Sequence, residues 1–230
     1  MPRIPVKLVS WEEITEWSWG LAEKIKKSGY RPDVIIAVAR GGYVPARLLC
    51  DFLGVENLLS IQSQHWTEAA KAAERAIIKF PYTISLEGYK ALLVDDIIDT
   101  GDTVILAKKF VTEQWKPKEL RVATLQWISS VAKIKPDYYY IEVKEWTWFQ
   151  YPWTRLEDVT QFIRRMVMEE YKEKGRTRWS YEDIKSSFRE WYGITVDDRY
   201  FRAALSNLKE AGLLVEEEDT YKLNIEQVQE

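Results

Sequence analysis

Two apolar runs, "VIIAVA" at 34–39 and "ALLV" at 91–94, constrain this chain more than any other feature. Neither alternates polar with apolar residues, so a strand built from either one buries both of its faces. That is the condition of parallel strands covered by helices on either side. Helical periodicity surrounds them. Ser10–Glu13 reads "SWEE", a capping box, and Ile14, Trp17, Leu21 and Ile25 then fall on one helical face that ends near Gly29. "RGGYVPARLLCDFLG" is a loop feeding a helix that Gly54 stops, a short strand follows around Leu58–Gln62, and Val104, Ala107 and Val111 mark another helix. "LRVATLQWI" and "DYYYIEV" read as two more strands. The alternation predicts a doubly wound α/β domain, a mostly parallel sheet flanked by helices.

Two regions depart from that rhythm. Residues 63–80, "SQHWTEAAKAAERAIIKF", fit either an alanine-rich helix or a mobile polar excursion between strands. After "WTWFQYPW" the chain becomes mainly helical. "TRLE" at Thr154–Glu157 caps a helix carrying Leu156, Val159, Ile163 and Met166, and "SYED" at Ser180–Asp183 caps one bearing Ile184, Phe188 and Trp191. A third helix runs from about Arg199 to Glu210, ended by Gly212, and "LLVEEEDTYKLN" reads as a small hairpin. The expected division is therefore an α/β domain over 1–153 and a helical C-terminal extension over 154–230, packed on it.

Bulk properties exclude several classes. The formal net charge of −3 advertises neither nucleic acid nor an anionic membrane. Cys50, the single cysteine, lies in an apolar helical stretch and excludes an intrachain disulfide or a cysteine metal cluster. His65 is the only histidine, so histidine-rich zinc sites and charge relays elsewhere are excluded. With no signal peptide and no run of about 18 apolar residues, a cytoplasmic protein is expected.

The chemistry concentrates in "ALLVDDIIDTGDT" at 91–103. Four acids at the mouth of a buried strand repel one another, which a fold avoids unless something binds there. Ligands of open α/β sheets bind beyond the carboxyl ends of strands, where Asp95 and Asp96 stand. "DTGDT" then offers backbone N–H groups, a glycine and hydroxyls just before a helix N-terminus, a phosphate cradle. Carboxylates on one side and amides on the other suit a ligand with both sugar hydroxyls and phosphate. The acid pair can hold the diol directly, or through Mg2+, which prefers oxygen ligands and retains waters.

This stretch resembles the phosphoribosyl-diphosphate (PRPP) signature of type I phosphoribosyltransferases, and the resemblance covers roughly 10–153. It implies that Asp95 and Asp96 face the ribose hydroxyls and a Mg2+ ion, that Asp99 is the acid beside a purine, and that Thr100, Gly101, Asp102 and Thr103 form the 5′-phosphate loop. Asp102 stands where many relatives carry glycine, so its carboxylate must point away from the phosphate. "AVARGGYVPA" resembles the family's pyrophosphate loop, with Arg40 as the fixed charge, Gly41 and Gly42 permitting close backbone approach, and a non-proline cis peptide at Ala39–Arg40. A lid over PRPP would span about Ser63–Lys79, including His65, Lys71 and Arg75.

"WFQYPW" resembles the end of the base pocket in 6-oxopurine enzymes. By position Trp148 would stack on the purine, and the main chain around Phe149 and Gln150 would read its edge. Trp146 and Trp153 would pack between sheet and extension. Relatives acting on hypoxanthine, guanine or xanthine place a lysine on the strand matched by "RVATLQWISS" to donate to O6. Here that position falls at Trp127 or Ile128, and Lys133 would have to reach back from several residues further on. An apolar wall favours adenine, with a 6-oxopurine as the alternative. The implied reaction is Mg2+-dependent transfer of 5-phosphoribosyl from PRPP to a purine base, giving a nucleoside monophosphate and pyrophosphate, in a homodimer. A different class, a PRPP- or nucleotide-sensing regulator, is kept open by the winged-helix-like ending. Against it, residues 151–230 hold 13 Lys and Arg but 17 Asp and Glu, a net of −4, whereas a DNA reader needs a basic footprint.

Overall fold

A computed structural model of the chain describes residues 3–67 and 74–228. The chain divides into two compact units, one of Trp11–Trp146 and one that joins Met1–Ser10 to Thr147–Glu230. The first strand, β1 (Val6–Leu8), belongs to the latter. The Trp11–Trp146 unit then runs α1 (Trp11–Lys27), β2 (Val34–Ala39), α2 (Tyr43–Leu53), β3 (Asn57–Thr67) and β4 (Glu74–Lys79). It continues through β5 (Lys90–Ile98), α3 (Asp102–Phe110), β6 (Glu119–Ile128) and β7 (Tyr138–Val143).

Its six strands lie in the order β4-β3-β2-β5-β6-β7, every neighbouring pair parallel except β3–β4. Every residue of β2 is buried, as its unbroken apolar run requires. Val34, Ile36 and Val38 share a core with Val104, Ala107, Val111 and Trp115 from α3 and the π-helical turn that prolongs it. Helix α2 packs on β2 and β5, and α1 on β6 and β7. Gly20 lets α1 settle on the sheet, because a Cβ there would overlap the Tyr140 ring of β7.

The segment read as helix or excursion is, where described, an antiparallel ribbon: Gln62 pairs with Lys79 and the register runs to Thr67 with Glu74. Strand β3 is accordingly longer than the expected Leu58–Gln62. A neighbouring strand offers hydrogen-bond partners to the described backbone on both sides of residues 68–73. Lys71 lies outside the described residues, as do the side chains of His65 and Arg75.

The other unit pairs β1 in parallel with β8 (Trp148–Gln150), followed by α4 (Arg155–Lys174), β9 (Arg178–Ser180), α5 (Tyr181–Tyr192), α6 (Asp198–Glu210), β10 (Leu214–Glu217) and β11 (Thr220–Leu223). The pairing of β8 with β1 puts the division of the chain before Thr147, ahead of the 153/154 boundary read from the sequence. Three strands form an antiparallel sheet in the order β10-β11-β9, so the extension carries a small sheet as well as helices. Helix, strand, two helices and a hairpin, with β9 beside β11, is an order that resembles a winged helix. Its core holds Val159, Ile163 and Met166 as expected, while Leu156 is exposed and Phe162 takes the inward position. Phe162 stacks on Tyr192 at 4.3 Å.

Helix starts separate the two C-terminal capping expectations. At α5 the box is complete: the Ser180 hydroxyl accepts from Asp183 N at 3.1 Å, and the Asp183 carboxylate accepts from Ser180 N at 3.0 Å. At α4 it is absent. Thr154 lacks the extended backbone of an N-cap, and its hydroxyl donates to the Asp158 carboxylate at 2.8 Å instead of accepting from the helix. No helix among the described residues is long and apolar enough to cross a membrane.

Candidate active site

The sheet changes its direction of growth between β2 and β5. From β2 the chain passes outward to β3 and β4, whereas β5 lies on the other side and leads to β6 and β7. A crevice at the carboxyl ends of two such strands is where open α/β sheets take ligands. The register sets Ala37 beside Val94, so Arg40–Gly42 after β2 and Asp95–Asp96 late in β5 meet there. The meeting is close: a Cβ on Gly41 would overlap the Asp96 carboxylate. Gly42 lies equally tight on main-chain oxygens of Val38 and Val94, and its N–H donates to Val38 O at 2.8 Å. The Ala39–Arg40 peptide is cis, where the resemblance places it.

Asp95 and Asp96 are each only 8% exposed, an unusual degree of burial for adjacent acids. Asp95 accepts from Asp96 N at 2.9 Å and Asp96 from Ile97 N at 2.8 Å, so backbone amides fix both carboxylates. Burial, then the neighbouring Asp96 charge, hold the Asp95 carboxyl well above the usual carboxylate range. Such a pair gains from any ligand that brings hydroxyl donors or positive charge. Its all-oxygen character fits Mg2+, which keeps waters and substrate oxygens around it. Among the described residues no group of three or more His, Cys, Asp and Glu side chains could hold a metal alone.

Beyond β5 the chain turns through exposed Asp99 and Thr100 to Gly101, whose φ of 89° is the left-handed conformation that favours glycine. Helix α3 starts at once with Asp102 and Thr103, so the loop delivers a helix N-terminus, whose first N–H groups have no acceptor within the helix. Gly101 is also hemmed in by Ile134, whose Cγ2 would lie 2.8 Å from an added Cβ. The Asp102 carboxylate is held by the Thr100 hydroxyl at 3.1 Å and by the Lys133 ammonium at 2.8 and 2.9 Å. The Lys133 ammonium, which would have to reach back along the strand to serve O6, lies on Asp102.

The residues expected at the base are divided between the two units. Trp127, half-buried on β6, donates through Nε1 to Ile134 O at 3.2 Å, and its ring lies 5.1 Å from Tyr139. The Lys135 ammonium stands 5.4 Å from the Trp127 ring centroid, a cation that no periodicity or motif announced. Trp148, Phe149 and Gln150 belong to the other unit. Trp148 N donates to Pro5 O at 3.0 Å, and its ring meets Phe162 edge to face at 5.4 Å. The Gln150 carbonyl accepts from Val9 N at 3.0 Å. Its side chain is fully buried with both amide atoms unpaired. Trp153 stacks on Tyr151 at 4.8 Å.

Comparison with known proteins agrees with this geometry. A phosphoribosyl transferase domain model matches residues 10–157, which include both loops that meet at β2 and β5. The chain is 30% identical over 151 residues to a xanthine-guanine phosphoribosyltransferase of Nitratidesulfovibrio vulgaris (strain DP4), covering 63% of this chain and 82% of that protein. It is 28% identical over 166 residues to one of Desulfotalea psychrophila, covering 71% and 94%. Among solved structures, a purine phosphoribosyltransferase from Pyrococcus horikoshii Ot3 superposes with a TM-score of 0.57 at 31% identity, over 64% of this chain and 93% of that one. With its apolar strands, acid pair and phosphate loop inside the matched region, the chain belongs to the phosphoribosyl transferase domain family.

Proposed function

We propose that the protein transfers the 5-phosphoribosyl group of PRPP to N9 of a 6-oxopurine, releasing pyrophosphate and a nucleoside 5′-monophosphate. The observation that carries this reading is the packing of Gly41 on Asp96, which sets an arginine-bearing loop beside a buried acid pair. Arg40 and the amide of Gly41 would hold the diphosphate, Asp95 and Asp96 the ribose hydroxyls, and Thr100–Thr103 the 5′-phosphate. The C1′–oxygen bond to the diphosphate breaks as N9 bonds to C1′. Asp99 takes a proton from the purine as its ring gains positive charge. Mg2+, held at Asp95 and Asp96 through the substrate, would offset charge gathering on the departing diphosphate.

Two observations favour a 6-oxopurine over the adenine expected from Trp127. The bacterial relatives above are xanthine-guanine enzymes by name. The Lys135 ammonium, 5.4 Å from the Trp127 ring centroid, would supply the cationic donor that the strand itself lacks. Initial rates with PRPP, Mg2+ and each of xanthine, guanine, hypoxanthine and adenine test the reading. An oxopurine should exceed adenine in kcat/KM by at least about 10-fold, since the amino group of adenine cannot accept from the donor that O6 would use. A preference for adenine would overturn the base, and no transfer to any purine would overturn the function.

The winged-helix arrangement favours a second reading, a nucleotide-responsive DNA binder. Its charge opposes it: the hairpin turns on Glu216, Glu217, Glu218 and Asp219, where a wing reaching DNA meets phosphates. Fluorescence anisotropy with duplex DNA at low salt discriminates, because only a reader shows tight, steeply salt-dependent binding.

A further inference from the structure

The strongest unassigned feature is a clamp on the phosphate loop from the chain that follows β6. Lys133 N donates to Thr100 O at 2.8 Å, the Lys133 ammonium grips both oxygens of Asp102, and Ile134 closes on Gly101. Ile134 is itself tied back to β6 by the Trp127 indole. As a surface ion pair this contributes little to stability, since the Lys133 and Asp102 side chains are 61% and 40% exposed. Its position gives it another role. Asp102 puts a carboxylate inside a loop whose task is to receive a phosphate, and an uncompensated negative charge there repels the ligand.

We propose that Lys133 is a positioning and charge-neutralising residue for 5′-phosphate binding: it holds the Asp102 carboxylate away from the helix N-terminus and cancels its charge, so that a loop containing an acid accepts a phosphorylated sugar. The inference rests on the phosphoribosyltransferase reading and names the device by which this chain tolerates an acid in its phosphate loop. Asp102 and Lys133 then act as one unit, and either change alone unbalances it. Because the effect is electrostatic, it acts on ligands that carry the 5′-phosphate and leaves the diphosphate loop at Arg40 untouched. It also weakens with salt.

The test measures binding by calorimetry of PRPP, a nucleoside 5′-monophosphate and free pyrophosphate to wild type, Lys133→Ala, Lys133→Arg and the double variant Lys133→Ala/Asp102→Asn. Lys133→Ala should weaken PRPP and monophosphate binding by about 10- to 100-fold at low salt, and by less at high salt, with pyrophosphate binding unchanged. Lys133→Arg should stay within about 3-fold of wild type, because it keeps the charge. The double variant should recover most of the loss, because no carboxylate then remains to be neutralised. Wild-type affinity in Lys133→Ala would overturn the proposal. So would a double variant as weak as the single one, since Lys133 would then touch the phosphate itself, and so would equal loss of pyrophosphate, which means a general collapse of the site. Failure of wild type to bind PRPP would instead reject the function on which the inference rests.

Discussion

Gly41→Ala tests the contact on which the active-site reading turns. The added Cβ would lie 2.6 Å from the Cγ and Oδ1 atoms of Asp96, with Oδ2 closer still. Ordinary carbon contacts need about 3.5–4.0 Å, so the carboxylate or the loop must move by roughly 1 Å. Neither has slack: Asp96 is 8% exposed and backbone-bonded, and Gly42 is tied to Val38 O. Overpacking of this kind costs about 1–3 kcal/mol, which for a chain of this size lowers Tm by about 2–12 °C. A 1 Å error in the groups that position substrate costs about 10²-fold, so kcat/KM for PRPP should fall by that order while the fold persists. Gly29→Ala is the control. It meets nothing within 4 Å, and its φ of 78° makes it cost about 1–2 kcal/mol with no change in kinetics. Steady-state rates against PRPP beside calorimetric melting separate the two effects. If Gly41→Ala melts early yet turns over normally, the contact is structural only and the Arg40 loop does not form the site with Asp96.

Two further perturbations probe other parts of the chain. Asp99→Asn should leave PRPP binding and folding intact while lowering transfer by about 10²–10⁴-fold, and near-normal turnover with every purine would remove Asp99 from acid–base duty. Glu170 is a buried carboxylate that accepts from the Trp179 and Trp191 indoles at 2.9 and 3.4 Å and pairs with Arg176 at 3.3 Å. Glu170→Gln should therefore cost about 1.5–3 kcal/mol at pH 7, read by denaturant unfolding followed through tryptophan fluorescence. Burial pushes the Glu170 carboxyl up, but the Trp179 hydrogen bond and the Arg176 charge together hold it below its ordinary value. A depressed folded value means that this stabilisation is complete above the unfolded value of about 4.3 and is lost as pH falls through the folded one. The gap between wild type and Glu170→Gln should then narrow towards pH 3, and a gap independent of pH would show that another group titrates.

What was legible in the sequence was what neighbouring residues decide. An apolar run with no polar break reads as a strand buried on both faces, and β2 and β5 are that. The acid pair, Gly101 and the first residues of α3 are contiguous, so their chemistry survives without knowledge of the fold. What was hidden is decided by partners far along the chain. The ribbon of β3 and β4 forms because the two segments pair, which alanine content cannot report. Thr154 forgoes its cap because Asp158 is a competing acceptor one residue beyond the position that a capping box examines. The β1–β8 pair joins the two segments that flank the α/β unit in the sequence.

The acceptor site shows the same limit in its sharpest form. Position-by-position reading looks for an ammonium on the strand, finds Trp127, and concludes that the pocket wall is apolar. The loop after β6 turns back on the strand, carrying Lys133 to Asp102, 31 residues away in sequence, and Lys135 over the Trp127 ring. Charge around a strand position is a property of the space about it, and a loop can return a cation to the neighbourhood of a position that lacks one. A base preference inferred from a single aligned position therefore carries less weight than the arrangement of charges around Trp127, while the acid pair and the Gly101 turn, which share one strand and the turn after it, are legible in the chain alone.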